Sequence, residues 1–191
     1  MNQMSHRQHK SRFNLSNLHT FPSGVPLKMA AGSFFDPFKL LHIAPVITST
    51  GSLVYAISEL IYNSAFVAPP LRKKSDKLLP YWYPILYKRN IWLVVGLNLV
   101  TSSTAIANIL LNRQQNKPVL STQLYCAGLA GAIGHMLFVP WVATLIENIV
   151  TRHSKEGAAK EMETWLSIHR VRILVADLPG WLSFLAAYMV I

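Results

Sequence analysis

The last apolar stretch of the chain, residues 165–191, reads WLSIHRVRILVADLPGWLSFLAAYMVI. It is long enough to cross a bilayer as a tilted helix, because about 20 helical residues suffice. Four ionisable side chains nevertheless lie in its first half: His169, Arg170, Arg172 and Asp177. A charge at membrane depth costs on the order of 2.5–3.5 kcal/mol even on a lenient scale. The stretch therefore predicts a membrane helix whose ionisable groups pair inside a bundle, serve a function, or do both.

Helical spacing places these four groups, together with the preceding Glu163, on two lines along the surface of the predicted helix. Glu163, Arg170 and Asp177 are seven residues apart and fall on nearly one line. His169 and Arg172 form a second line beside it. The simplest structural interpretation is an ion pair between Arg170 and Asp177 that holds helices together.

The composition indicates a membrane protein rather than a nucleic-acid-binding one. Of 191 residues, 51% are hydrophobic and 14% are charged, so the chain is richer in apolar residues than an average soluble domain. The net charge of +10 comes from basic residues that flank apolar runs, as in membrane loops. We therefore expect a lipid bilayer as a partner and no nucleic acid. The single cysteine, Cys126, excludes an intramolecular disulfide and a cysteine-based zinc site, and it is expected to be buried.

The first 38 residues are predicted to be a disordered basic tail. Residues 1–35 contain no acidic residue, and their basic residues are mixed with Ser, Asn, Gln and His. This composition also resembles a transit peptide, which is basic and poor in acidic residues. A start of translation at Met29 is an alternative interpretation of the same stretch.

Residues 39–191 are predicted to form one domain of four membrane-spanning helices. The apolar segments cover about 40–68, 90–112, 123–149 and 165–191. The short links between them predict an all-α, integral membrane bundle of up-down-up-down topology. Most Lys and Arg of the links follow the first and third segments, so the positive-inside rule places that side in the cytoplasm. We expect a multi-pass protein of the endoplasmic reticulum or another endomembrane.

Two of the links carry their own features. The link at 71–89 is interpreted as a polar connector, since Pro69 and Pro70 cannot continue a helix. Its centre, LPYWYP at 79–84, suits an interfacial anchor at the headgroup level, with a substrate gate as the alternative. The charged link at 151–160 is expected to be helical and to run into the last segment without a break.

The third segment carries a ridge of glycines followed by a histidine. Gly128, Gly131 and Gly134 recur every third residue, which allows a neighbouring helix to approach closely. His135 follows them, either as a satisfied packing residue or as a catalyst. Pro140 is expected to kink this segment.

Polar residues of all four segments are predicted to meet in one layer. At about 1.5 Å of rise per residue, five of them lie roughly 10–20 Å from the cytoplasmic side: Glu59, Asn98, His135, Arg172 and Asp177. Residues that only hold helices together have no reason to share a depth, so the layer predicts a cavity inside the bundle. The candidate catalytic residues are Glu59, His135, His169, Arg172 and Asp177. The candidate substrate-binding residues are Asn63, Asn98 and Thr101.

The C-terminal segment carries the motif Trp165-x-x-x-His169-x-x-Arg172. It is preceded by a third helix that contains proline and by Asn148. In this order, the motifs resemble the anthrone-oxygenase-like family of small four-helix membrane proteins. The resemblance covers about residues 40–191.

The proline-rich connector at 69–84 and the Arg170 and Asp177 pair are more similar to related membrane proteins of fungal polyketide clusters. Some of those proteins are assigned as epoxide hydrolases. The resemblance therefore implies a membrane-embedded tailoring enzyme of secondary metabolism with a lipophilic polyketide as substrate.

The chemistry that these classes need differs. Epoxide hydrolysis or epoxide-opening cyclisation needs an acid for the ring oxygen and a base for the incoming nucleophile. Glu59 and Asp177 are the candidates, with Arg172 and His169 to tune or relay the proton. Oxidation of an anthrone, the alternative, needs a base such as His135 or His169 and a pocket that admits O2. We expect either route to use no cofactor and no metal, and the third possibility is a non-enzymatic four-helix scaffold.

Overall fold

All regular structure between residues 36 and 191 is helical, and this is the part of the chain that the computed structural model describes. The elements are α1 Pro37–Val67, α2 Arg72–Gln114, α3 Val119–Leu137, α4 Val139–Thr151, α5 Ala158–Arg172, a π-helical turn Ile173–Asp177, and α6 Leu178–Met189. Residues 1–35 of the predicted basic tail, with the alternative start at Met29, lie outside the described residues.

Within the described residues, four segments are long and apolar enough to cross a membrane. Two are the single helices α1 and α2, and the other two are α3 with α4 and α5 with α6. α1 packs against α2, α2 against α3, α3 against α6, and α1 against both α5 and α6, which closes a bundle. The outer surface is apolar, with Trp92 and Met189 77% and 76% exposed. The predicted all-α four-helix bundle is confirmed, whereas Cys126, expected to be buried, is exposed on α3.

The second long helix includes the predicted connector. α2 begins at Arg72 and continues through Pro80 and Pro84, so the prediction of a separate polar connector there is wrong. Each proline removes one backbone hydrogen bond from a helix. Leu79 and Tyr83 are buried in an apolar cluster shared with α5. The burial of this face explains why the segment is helical in spite of its prolines.

The start of α5 is capped by a side chain from another helix. Gly157 precedes the helix with a φ of +97°, a backbone conformation that residues other than glycine rarely adopt. Asp76 Oδ1 on α2 accepts a hydrogen bond of 2.8 Å from the backbone N–H of Ala159. A Cβ at position 157 would lie 2.6 Å from that same oxygen. The link at 151–160 is therefore not helical at 152–157, contrary to the prediction, whereas residues 158–160 belong to α5 and continue into the last segment.

The glycine ridge of α3 brings that helix into close contact with α6. A Cβ at Gly131 would lie 2.7 Å from the Cα of Gly180 and 2.8 Å from the carbonyl oxygen of Ala176. A Cβ at Gly128 would overlap the ring of Phe184. The predicted close approach is confirmed at Gly128 and Gly131, and α6 is the helix that makes it.

The third and fourth spans are each interrupted along their length. α3 ends at Leu137 and α4 begins at Val139, with Pro140 in its first turn, where the missing N–H of proline is tolerated. The predicted kink at Pro140 is thus a junction between two helices. The fourth span is interrupted by the π-helical turn Ile173–Asp177. Turns of this kind add one residue to a helix and are frequent at functional sites.

Candidate functional site

His135 on α3, Asp177 on the π-helical turn and Arg172 on α5 form a buried cluster. His135 Nδ1 lies 2.7 Å from Asp177 Oδ1, and Arg172 Nε lies 3.3 Å from Asp177 Oδ2. The side chains of His135, Asp177 and Arg172 are 8%, 7% and 10% exposed. The guanidinium balances the charge of the carboxylate, and a buried charge without such a partner is strongly destabilising.

Asp177 pairs with Arg172, and Arg170 is exposed. The predicted ion pair between Arg170 and Asp177 is therefore wrong, and the π-helical turn explains why. Regular α-helical spacing puts residues seven apart on one line, but one additional residue rotates everything after it by about 100°. The rotation puts Asp177 on the same face as Arg172. Arg172 lies five residues before Asp177, and a π-helix aligns residues at this spacing.

His169 is fixed between α1 and the indole of Trp165. Its Nε2 lies 2.8 Å from the carbonyl oxygen of Ala56 on α1. Its ring stacks on Trp165, with centroids 4.5 Å apart and planes inclined by 17°. The side chain is 1% exposed and borders neither of the two cavities described below. These contacts favour a role in orienting Trp165.

A cavity of about 100 Å³, termed the apolar chamber, lies beside the cluster. Its polar lining consists of Glu59, Tyr83, Tyr87, Asn90, His135 and Arg172. The remaining walls come from α2, α4 and α5: Leu86, Ile91, Val94, Val139, Val142, Ala143, Ile146 and Trp165. The predicted acid Glu59 and the predicted base His135 therefore border the same cavity.

A smaller cavity of about 30 Å³, termed the polar chamber, also borders the cluster. Its polar lining consists of Ser49, Ser52, Asn98, Thr101, His135, Asp177 and Trp181. Of the residues that the structure describes, His135 alone borders both chambers. The layer predicted from helix depth is thus divided between two compartments that meet at this histidine.

The three predicted substrate-binding residues lie outside the apolar chamber. Asn98 borders the polar chamber and donates from Nδ2 to the carbonyl oxygen of Ala132 at 3.2 Å. Thr101 borders the same chamber, with its Oγ1 2.7 Å from Thr48 Oγ1. Asn63 is fully buried on α1 and borders neither chamber. Neither polar atom of its amide makes a hydrogen bond with the described residues.

Sequence reasoning missed the polar residues that α2 contributes to the apolar chamber. Tyr83, Tyr87 and Asn90 are four and three residues apart and share one helical face. This face is recognisable only if the predicted connector is helical, and its prolines favoured the opposite interpretation. Ser49 and Ser52 were also missed, although their spacing on α1 puts them on one face.

The cluster contains groups that can exchange protons. A carboxylate that accepts from the Nδ1–H of a neutral imidazole leaves Nε2 available as a base. Glu59 adds a carboxylic acid to the chamber that His135 borders. Among residues 36–191, no group of three or more His, Cys, Asp or Glu side chains is placed to hold a metal ion.

The bundle and its enclosed cluster define a small all-helical protein whose polar site is surrounded by apolar helices. Epoxidase gkaX of Penicillium citrinum is 30% identical to the chain over 155 residues, which are 81% of the chain and 96% of that relative. Epoxidase pydX of an Acremonium species is 28% identical over 151 residues, covering 79% and 93%. The oxaleimides biosynthesis cluster protein N of Penicillium oxalicum is 24% identical over 161 residues, covering 81% and 90%.

The chain therefore belongs to the protein family that includes epoxidase gkaX. These relatives support the predicted resemblance to small proteins of fungal biosynthesis clusters. They do not support membership of the anthrone-oxygenase family specifically. No protein-family model and no solved structure match the chain.

Proposed function

We propose that the chain is a membrane-embedded tailoring enzyme of fungal secondary metabolism that acts in epoxide chemistry on a lipophilic, polyketide-like substrate. The observation that carries the proposal is that Glu59 and His135, the latter paired with Asp177, border one apolar chamber. Ionisable groups enclosed by apolar walls are the arrangement expected of an acid–base site. The names of epoxidase gkaX and epoxidase pydX support the class of reaction.

The mouth of the apolar chamber supports a substrate that arrives through the bilayer. Tyr87, Val139 and Ala143 line the chamber and are exposed on the outside of the bundle, between α2 and α4. Lys88 and Arg89 follow Tyr87 on α2, and such basic residues mark the headgroup level of a membrane helix. A lipophilic molecule would enter sideways near this level without crossing water. We propose the endoplasmic reticulum or another endomembrane as the location.

Epoxide formation is the reaction that the relatives' names favour. A carbon–carbon double bond, O2, two electrons and two protons give an epoxide and one water molecule. This route therefore needs a two-electron donor such as a reduced nicotinamide or flavin. One oxygen atom enters the ring and the other leaves as water. Glu59 and His135 border the chamber in which this water forms and are the groups of this chain that would deliver the protons.

Epoxide opening is the second candidate, and the chamber geometry favours it. Glu59 protonates the ring oxygen as one carbon–oxygen bond breaks, while His135 Nε2 takes a proton from water as the new carbon–oxygen bond forms. The product is a vicinal diol with one oxygen from the epoxide and one from water. An internal hydroxyl in place of water gives a cyclic ether with the same two groups.

Isotope labelling distinguishes these two reactions. Membranes that carry the full chain are incubated with lipophilic polyenes and NADPH under oxygen-18 gas, and separately with the corresponding mono-epoxides in oxygen-18 water. Label from the gas in an epoxide supports formation, and label from water in a diol supports opening. His135→Gln, present at the same level, is the control. Conversion of neither substrate class by inserted protein would contradict the enzyme proposal and favour a scaffold.

A further inference from the structure

His135 separates two compartments of different chemistry. The apolar chamber has mostly apolar walls beside Glu59 and Arg172, whereas the polar chamber is bordered by Asp177 and several hydroxyl groups together with glycine, alanine and phenylalanine residues. Asp177 does not border the apolar chamber. Asp177 is therefore associated with the polar compartment, whereas His135, its partner, also borders the compartment proposed for the substrate.

One carboxylate oxygen of Asp177 lacks a hydrogen bond. Oδ1 is engaged by His135 Nδ1 at 2.7 Å. Oδ2 lies 3.3 Å from Arg172 Nε, which is an ion-pair distance, but neither atom makes a hydrogen bond with the described residues. A buried acceptor left unbonded costs about 1–3 kcal/mol, and more when it is charged. Since the Asp177 side chain is 7% exposed and the residue borders the polar chamber, a small donor in that chamber would satisfy this oxygen.

The size and lining of the polar chamber identify that donor. A buried water needs about 10–15 Å³ and two to four polar partners. The chamber has a volume of about 30 Å³, which accommodates one or two water molecules. Ser49, Ser52, Asn98 and Thr101 contribute polar groups around it. These groups supply the polar partners that a buried water needs.

We infer that the polar chamber is a water site that positions the His135–Asp177 pair, an inference that rests on the proposed function above. A water molecule donates to Asp177 Oδ2 and is held by Ser52 Oγ. It fixes the plane of the carboxylate, so that Oδ1 stays on Nδ1 of His135 and Nε2 stays directed at the substrate. No covalent bond forms or breaks at this water. Ser52 is then a positioning residue that acts through Asp177.

Substitution of Ser52 tests the inference kinetically. Ser52→Val removes the hydroxyl and fills the chamber with an apolar side chain. Turnover is expected to fall by about 10²-fold, the scale of a small misplacement of a catalytic group, while KM stays unchanged. Ser52→Thr keeps a hydroxyl and is expected to retain most of the turnover. Ser58→Val is the matched control, because Ser58 lies on the same helix, borders neither chamber and is expected to behave as the unmodified protein.

A second readout does not depend on turnover. In the full chain labelled with nitrogen-15 histidine and held in nanodiscs, the Nδ1–H signal of His135 reports its hydrogen bond and its exchange with nearby water. The signal is assigned by its loss in His135→Gln. Ser52→Val is expected to shift the signal and to slow its exchange with water, and Ser58→Val is expected to leave it unchanged.

The outcomes of these two measurements separate the water site from the proposed function. An unchanged signal and unchanged turnover in folded Ser52→Val would overturn the water site. A protein that converts no substrate but shows the expected response of the signal would refute the function and leave the water site standing. If Ser52→Val does not fold, the smaller Ser52→Ala decides, since loss of the hydroxyl alone is expected to shift the signal in the same direction.

Discussion

His135 Nδ1 meets Asp177 Oδ1 at 2.7 Å across the contact between α3 and the π-helical turn. The backbones of the same two spans are in close contact about one helical turn from this pair, where Gly131 faces Gly180. The two glycines allow the spans to approach closely enough for His135 and Asp177 to meet. The contact between Gly131 and Gly180 is therefore expected to affect the His135–Asp177 pair, and substitution of Gly131 tests this.

Gly131→Ala is expected to separate α3 from α6. The added Cβ would lie 2.7 Å from the Cα of Gly180, where only backbone could move. Overpacking of this kind costs about 1–3 kcal/mol, so the melting temperature in detergent and the activity should both fall. Gly96→Ala is the matched control, since a Cβ there meets nothing within 4 Å. A melting temperature of Gly131→Ala equal to that of the unmodified protein would contradict the tight contact.

Asp177→Asn and Arg172→Gln are expected to be energetically coupled. Removing one partner of a buried ion pair costs about 3–5 kcal/mol, because the other charge is stranded. Each single variant should lower the melting temperature, and the double variant should recover much of the loss. Arg170→Gln should change the melting temperature little, because Arg170 is exposed. Strictly additive losses for the first pair would mean that the two charges do not interact.

Glu59→Gln is expected to abolish most of the turnover without loss of folding. The amide keeps the shape of the side chain but has no transferable proton, and general acid catalysis contributes about 10²–10⁴-fold. Glu147→Gln serves as the control, since Glu147 is exposed on α4 and borders neither chamber. The measurement is conversion of a lipophilic epoxide by membranes with matched protein levels. Full activity of Glu59→Gln would leave this carboxyl group with a packing role only.

Ala143→Trp is expected to close the mouth of the apolar chamber. Ala143 lines the chamber and is exposed on the outside of the bundle, where lateral entry is proposed. A bulky side chain there should raise KM for large substrates more than for small ones, while the melting temperature stays near that of the unmodified protein. Ala127→Trp places the same side chain on the outside of α3, away from both chambers, and should change neither quantity. Equal effects of the two variants would argue against lateral entry.

The four-helix bundle could be predicted from the sequence, and so could the meeting of polar residues from different segments. Length and hydrophobicity decide which helices can span a membrane. Depth along a helix depends on the rise per residue and hardly on rotation about its axis. That is why Glu59, His135 and Arg172, taken from three different segments, were expected at one level and do border one chamber.

The pairing of Asp177 with Arg172 could not be predicted, because it depends on the direction in which each side chain points around the helix axis. The turn ILVAD at Ile173–Asp177 contains neither proline nor glycine, so nothing in it indicates an additional residue in the helix. The chamber wall on α2 was missed for a related reason. Pro80 and Pro84 locally favour the end of a helix, whereas burial of the α2 face against α5 favours its continuation, and tertiary packing decides the outcome.

The π-helical turn also makes the position of one carboxylate depend on a single codon. A chain with one residue fewer between Ile173 and Asp177 would have Asp177 and all of α6 rotated by about 100° relative to α5, one residue's rotation in an α-helix. Its carboxylate would point away from the histidine, and Gly180 would turn away from Gly131. Such a chain would be nearly indistinguishable in hydropathy. In evolutionary terms, the gain or loss of one triplet would decide whether this polar cluster forms.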